Sequence, residues 1–179
     1  MKAQLVLDPK DLVVLLQLAY GQPDSPWTYA SLAHALRLSP SQVHASVARA
    51  QAAGLLQGKG LKGKVNREGL LNFVLHGARY AFPPVLGRVT RGFPTGCASA
   101  LFPSSSLPKE GAEVRVWPSP RGDARGVSLA PLHPSVPLAA LGDEALHRAL
   151  VAFDGIRAGD ARERQAAEAF FRKSLAWPS

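Results

Sequence analysis

The chain has 179 residues, of which 46% are hydrophobic and 19% charged, and its 21 lysines and arginines exceed its 13 aspartates and glutamates by eight. This composition is typical of a globular protein with a substantial core, and it excludes collagen-like, coiled-coil and wholly disordered chains. A single cysteine excludes an internal disulfide framework and a zinc cluster built from several cysteines. The excess of positive charge lies in residues 1–142 and favours a polyanionic partner, either nucleic acid or an anionic membrane surface.

The first predicted element is an apolar helix. Asp8 followed by Pro9 is typical of a helix start, and Gly21 is predicted to end the helix. Residues 12–16 are apolar without a break, so we expect a central helix, for which a second subunit is a candidate cover. The apolar run is too short to cross a bilayer and no cleavage signal follows it, which predicts a cytoplasmic protein with no membrane partner.

Two short helices joined by a tight turn are predicted next. Thr28 is the expected cap of a helix over residues 29–38, and Ser39 the expected cap of a third helix over residues 40–53. This arrangement is typical of a helix-turn-helix, in which the first helix supports the second and the second enters the major groove of DNA.

A basic glycine loop follows the third helix. Gly54 is predicted to end that helix, and residues 55–57 are predicted to form a short strand. The loop over residues 58–64 alternates glycine with lysine, a pattern that predicts no regular element. A fourth helix is predicted over residues 67–80, after a capping Asn66.

In order and spacing, residues 8–80 resemble the winged-helix transcriptional regulators of the MarR type. The matching features are a small residue in the supporting helix, a serine cap, a valine one turn later and a Gly-Leu pair before the strand: Ala33, Ser39, Val43, Gly54 and Leu55. The resemblance implies a winged helix-turn-helix domain, sequence-specific DNA binding and a dimeric repressor that binds an inverted repeat.

Ten residues are candidates for DNA contact. Polar side chains on the third helix suit base edges and phosphates, glutamine in particular contacting adenine at two points, and lysines suit phosphates. The candidates are Thr28, Ser39, Ser41, Gln42, His44, Ser46, Arg49, Lys59, Lys62 and Lys64. The alternative is that these side chains are ordinary solvated surface groups.

The texture of the sequence changes at Pro83. Between Pro83 and Gly111 there are five prolines and three consecutive serines, which argue against helix and regular strand. They predict a long connector or, alternatively, an extended segment packed over another part of the protein. The chain is therefore divided into a DNA-binding domain (1–82), a connector (83–111) and a C-terminal region (112–179). Basic residues 88–92 are expected either to touch phosphate or a partner, or to form an exposed loop.

The C-terminal region is predicted to hold a small β-hairpin and two helices. The hairpin would pair strands over residues 113–117 and 126–129, and the helices would cover residues 144–158 and 160–175. The expected fold is thus mainly α with a little β, an α+β class. The two helices, together with the first helix, would form the dimer interface, the alternative being that they close a monomeric core.

The sequence is consistent with two function classes. The first is a homodimeric regulator that binds double-stranded DNA, and the alternative is a protein-interaction module, such as an antitoxin that binds its partner through residues 83–179. The sequence holds no phosphate-binding loop, dinucleotide fingerprint or zinc-protease motif, and its carboxylates are scattered, so we expect no enzyme, no cofactor and no metal. A redox-sensing role for Cys97 is a further alternative.

Overall fold

The computed structural model describes residues 5–21, 25–102 and 113–176, which combine α-helices with short β-strands. The mixed α and β class predicted from the sequence is confirmed. In chain order the elements are α1 (Pro9–Tyr20), α2 (Tyr29–Leu36), α3 (Pro40–Ala52), β1 (Leu56–Gln57), β2 (Lys64–Val65), α4 (Arg67–Asn72), a π-helical turn (Phe73–Gly77), α5 (Ala78–Ala81), β3 (Leu86–Thr95), β4 (Arg115–Pro118), β5 (Ala124–Leu129), α6 (Val136–Ala140), α7 (Glu144–Ala158) and α8 (Ala161–Leu175).

The first three helices begin at the predicted capping residues. The side chains of Asp8, Thr28 and Ser39 each accept a hydrogen bond from a backbone amide in the first turn. In each turn, a second side chain accepts a hydrogen bond from the backbone amide of the capping residue. These side chains are Asp11, Ser31 and Gln42. Each cap satisfies amide groups that the helix itself leaves unpaired, a contribution of about 1 kcal/mol.

Helix α1 lies at the centre of the core. Residues 11–17 are buried, and the helix packs against α3 and α7. Gln17 Nε2 donates to Asp143 Oδ2 at 2.8 Å, and the hydroxyl groups of Tyr20 and Ser174 lie 2.7 Å apart. The central position of α1 is as predicted, but the surface that covers it comes from the same chain, so no second subunit is needed there.

A single hydrophobic cluster extends from α1 to α8. Its members lie on both sides of the predicted connector, for example Leu15 in α1 and Phe153 in α7. Arg67, at the start of α4, adds polar links by donating to the carbonyl oxygens of Ala19 and Ser174 at 3.1 Å each. The division of the chain into a DNA-binding domain and a C-terminal region stays a prediction.

Strands β1 and β2 form a short antiparallel hairpin after α3. Leu56 is paired with Val65, and Gln57 with Lys64. The loop between them contains a 3-10 turn, Gly60–Lys62, and its last lysine belongs to β2, so the glycine loop is more regular than predicted. The hairpin backbone therefore fixes both ends of the basic loop.

Strand β3 lies where the sequence predicted a connector without regular strand, and that prediction is wrong. Two prolines precede the strand and Pro94 is its penultimate residue, whereas residues 85–93 include Val89, Thr90 and Phe93 and no proline, a composition that favours β-structure. Residues 103–111, the last part of the predicted connector, lie outside the described residues.

The predicted hairpin between residues 113–117 and 126–129 is also wrong in its pairing. Strands β4 and β5 are parallel to each other, and both are antiparallel to β3, which closes a small three-stranded barrel. Gly92 of β3 is paired with Pro118 on one side and with Ala124 on the other. The turn at Gly122 crosses the backbone of Gly92 so closely that a side chain at position 122 would collide with it.

A buried carboxylate attaches this barrel to α7. Asp154 Oδ2 accepts hydrogen bonds from Thr95 Oγ1 and Trp117 Nε1 at 2.6 Å each, and Oδ1 accepts from Arg157 Nε at 2.7 Å. Arg157 Nη2 also donates to the Ala130 carbonyl oxygen at 2.6 Å, just beyond β5. All three strands of the barrel are thus connected to one turn of α7. Helices α7 and α8 match the two predicted C-terminal helices.

Candidate nucleic-acid interface

Helices α2 and α3 pack through their apolar faces and leave their polar faces exposed. The buried faces include Leu32, Leu36, Val43 and Val47, each at most 1% exposed. Between the helices, Arg37 takes the left-handed conformation (φ 55°), which lets the chain turn within three residues. The exposed start of α3 therefore projects from a rigid support.

Tyr29 connects α2, α3 and the basic loop. Its ring centroid lies 4.9 Å from that of His44 on α3. Its hydroxyl oxygen lies 2.9 Å from the position that a Cβ atom on Gly60 would occupy. On the other side of the loop, Gln51 Nε2 donates to the Gly58 carbonyl oxygen. These contacts hold the loop beside α3.

Seven of the ten candidate residues are exposed on α2, α3 and the adjoining hairpin. They are Thr28, Ser39, Ser41, His44, Lys59, Lys62 and Lys64. Thr28 and Ser39 also cap their helices, and Ser39 Oγ lies 2.9 Å from Ser41 Oγ. Gln42 is half-buried, and its Oε1 accepts from the Ser39 amide at 2.9 Å, so a base contact through that oxygen would open the cap.

Two candidates point into the protein. Ser46 is fully buried. Arg49 Nε and Nη2 each donate to a carboxylate oxygen of Asp11 at 2.6 Å, and this carboxylate raises the pKa of the Arg49 guanidinium. The structure separates both residues from the exposed group and gives Arg49 a partner inside the core.

Arg37 was not among the residues selected from the sequence, although it is exposed in the turn between α2 and α3. His34, on the last turn of α2, is exposed beside it. The sequence candidates lie mainly on the third helix and the basic loop, where a helix-turn-helix makes most of its contacts. The signal that would have identified Arg37 is a cation within the joint of the two helices, next to the Ser39 cap.

Cys97 is a poor candidate for thiolate chemistry. Burial raises the pKa of its thiol to about 12, and the hydrogen bond and negative charge of Glu163 act in the same direction. The Cys97 amide also donates to Glu163 Oε1 at 3.1 Å, while Arg115 Nη1 lies 3.2 Å from Glu163 Oε2. The protonated thiol is therefore the favoured form near neutral pH.

In the described residues, no group of three or more histidine, cysteine or acidic side chains is placed to hold a metal ion. None of the helices there has the combined length and apolar character needed to cross a membrane. Comparisons with known protein families, curated proteins and solved structures find no match for this chain.

Proposed function

We propose that the protein is a sequence-specific DNA-binding transcription regulator, in which α1 to α4 and the β1–β2 hairpin act as a winged helix-turn-helix. The observation that carries this proposal is the junction at Tyr29. It holds the exposed start of α3 and the lysine loop together, next to a turn that presents Arg37. A helix for the groove and a basic loop for the backbone are the two parts that such recognition needs.

The division of work within this surface follows from exposure. Ser41 and His44 lie on the open side of α3 and would reach base edges in the major groove. Lys59, Lys62 and Lys64 are exposed, and none of them forms an ion pair among the described residues. Their charges are available for phosphates, a contact that fixes position and strengthens binding.

Ser46 and Arg49 have no direct part in this proposal. With Ser46 buried and Arg49 bound to the Asp11 carboxylate, few side chains of α3 remain for base contact. We therefore expect backbone contacts to supply most of the affinity, and the preference between sequences to be modest.

A homodimer on an inverted repeat, in the cytoplasm, belongs to the same proposal. The dimer needs a surface other than the apolar faces of α1 and α7, because both are buried within the chain. Light scattering of the protein with and without a palindromic duplex measures the oligomeric state directly. A monomer in both samples would remove the dimer from the proposal.

Fluorescence anisotropy tests DNA binding. The protein is titrated into its own upstream DNA and into a scrambled duplex, at about 50 to 200 mM salt. We expect tighter binding to the upstream DNA at every salt concentration. Equal binding to both duplexes that collapses with salt, or no binding, would overturn sequence-specific regulation.

A charge-matched pair of variants locates the contact. Lys59→Gln, Lys62→Gln and Lys64→Gln together should weaken binding by about tenfold or more and reduce the salt slope by about 2.7, which is 0.9 for each phosphate that a lysine no longer neutralises. The control neutralises three exposed cations on α8, Arg162, Arg172 and Lys173, and should bind as the unmodified protein does. An equal loss of affinity in both variants would show that only total charge matters.

A protein partner that binds through residues 83–179 is the second candidate, and exposed apolar side chains favour it. Three apolar side chains at and just before the start of β3 are largely exposed: Val85 (63%), Leu86 (53%) and Val89 (55%). Tyr80 on α5 is 73% exposed. Purification from the native host tests this candidate. One stoichiometric protein that is absent after Leu86→Ser and Val89→Ser would support it, and the lack of any such protein would oppose it.

A further inference from the structure

Two arginines of the barrel lie directly opposite each other. In the antiparallel register of β3 and β5, Arg91 is paired with Arg125, between the pairs Val89–Val127 and Gly92–Ala124. Both arginines are exposed. Among the described residues, neither comes within ion-pair distance of a carboxylate.

Such a pair is unfavourable for the protein on its own. Directly paired residues of an antiparallel ladder have Cα atoms only about 4.5–5.5 Å apart, and like charges in this position repel. Another arginine of the barrel does have an acidic partner: Arg115 on β4 forms an ion pair with Glu163 on α8 at 3.2 Å. The chain thus neutralises one arginine of the barrel and leaves two facing each other.

Two more arginines of the barrel region are exposed. Arg88 on β3 and Arg121, in the turn before β5, are exposed and also lack an ion pair in the described part of the chain. The described acidic residues between positions 83 and 129 are Glu113 and Asp123. We call the facing pair, Arg91 and Arg125, the barrel arginines.

We propose that the barrel arginines form a second nucleic-acid contact, which binds phosphates of duplex DNA. A guanidinium group offers paired donors that match a phosphate, and a run of one sign of charge suits a polyanionic backbone. Bound phosphates relieve the repulsion between Arg91 and Arg125. The nature of the ligand rests on the proposed function, whereas the location of the contact rests on the β3–β5 register alone.

The test compares two double variants that remove equal charge. Arg91→Gln with Arg125→Gln removes the facing pair, and Arg172→Gln with Lys173→Gln removes two exposed cations of α8. Binding is measured by anisotropy with a duplex that extends at least ten base pairs beyond each side of the specific site, about one helical turn. The variant Arg91→Gln with Arg125→Gln should lose about tenfold in affinity, and the α8 control should lose none. The salt slope should fall by about 1.8 for the barrel variant only.

Stability separates a binding role from a structural one. Because the facing charges repel, R91Q/R125Q should unfold at the same urea concentration as the unmodified protein or at a higher one. The variant R91K/R125K keeps both charges and should retain most of the affinity and the full salt slope. A lower urea midpoint for R91Q/R125Q, or unchanged DNA affinity, would overturn the barrel contact.

The lysine-loop variant separates this proposal from the proposed function. Loss of affinity in both the loop and barrel variants supports both contacts. Loss in the loop variant alone overturns the barrel contact and supports the proposed function. Loss in the barrel variant alone supports the barrel contact and overturns the role of the lysine loop.

Discussion

The guanidinium group of Arg49 holds the buried carboxylate of Asp11 through two hydrogen bonds of 2.6 Å. Asp11 Oδ2 also accepts from the Asp8 amide at 2.8 Å and so closes the capping box of α1. One carboxylate therefore fixes the start of α1 and connects it to α3. Arg49, which the sequence makes a candidate for DNA contact, thus joins α3 to α1.

Replacing Arg49 by Ala should lower the free energy of unfolding by about 3 kcal/mol, because it leaves the carboxylate of Asp11 buried without its cation. Urea denaturation measures this loss. The exposed Arg172→Ala is the control and should change stability by less than about 0.5 kcal/mol. Arg49→Ala combined with Asp11→Asn should lose less than the sum of the single changes. If Arg49→Ala kept full stability but lost its preference for the upstream DNA, Arg49 would instead be a DNA contact.

The position of the lysine loop can be tested with two glycines. Gly60 and Gly54 both have positive φ, +56° and +72°, so alanine is strained at either site by about 1 kcal/mol. Only at position 60 does a Cβ atom meet the Tyr29 hydroxyl, at 2.9 Å; at position 54 it meets nothing within 4 Å. Because both glycines have positive φ, Gly60→Ala and Gly54→Ala should lose similar stability in urea.

DNA binding should distinguish these two variants. Gly60→Ala displaces the loop from Tyr29 and should weaken binding to the upstream duplex by about threefold to tenfold, as expected when one or two phosphates are no longer neutralised. Gly54→Ala should bind as the unmodified protein does. The same affinity for both variants would mean that the Tyr29–Gly60 contact does not place the loop on DNA.

Local signals account for what could be predicted from the sequence. A cap acts within one turn, so Asp8, Thr28 and Ser39 mark helix starts without knowledge of the rest of the chain. The partner of Arg49 lies 38 residues away, and no spacing rule connects the two positions. The helices and the hairpin of the candidate site could therefore be predicted from the sequence. Which of its side chains are exposed could not.

The barrel shows the same limit for strands. Pairing of β3 with β4 and β5 depends on contacts between residues twenty or more positions apart, and local composition does not encode such contacts. Two prolines before β3 and Pro94 near its end led to the prediction of a connector, and adjacency along the chain suggested a hairpin where the structure has parallel strands. The surface with Arg91 opposite Arg125 exists only in this register.

Asp154 should be essential for the attachment of the barrel to α7. Asp154→Ala removes the acceptor of Thr95, Trp117 and Arg157 and leaves a buried cation unpaired, so we expect a loss of about 4 kcal/mol. Asp154→Asn keeps one acceptor oxygen and should lose less. The exposed Asp123→Ala is the control in urea denaturation. Equal stability of Asp154→Ala and Asp123→Ala would contradict the role of this carboxylate.

Stability should fall as the pH is lowered from about 7, because two partly buried histidines resist protonation in the folded protein. Burial lowers the pKa of His147 below its ordinary value of about 6.5, and Glu144 opposes this effect without reversing it. Burial lowers the pKa of His133 as well. His147 Nε2 is buried without a hydrogen-bond partner in the described structure, and the ring lies 5.5 Å from that of Trp117.

The direction follows from proton binding. Below about pH 6.5 the unfolded chain takes up a proton at each of these histidines before the folded protein does, so acid favours unfolding. The loss ends once the pH is below the lowered pKa of the folded state, and it cannot exceed about 1.4 kcal/mol per pH unit for each histidine. Glu163, whose pKa is also lowered, adds a similar loss only at more acidic pH.

His147→Gln should remove part of this pH dependence between about pH 5 and 7, and the exposed His76→Gln should leave it unchanged. Urea midpoints across this range measure the effect. Since glutamine does not titrate, the variant should lose less stability on acidification even if it is less stable at neutral pH. A pH profile for His147→Gln that parallels that of the unmodified protein would mean that His147 is protonated as easily in the folded state as in the unfolded one.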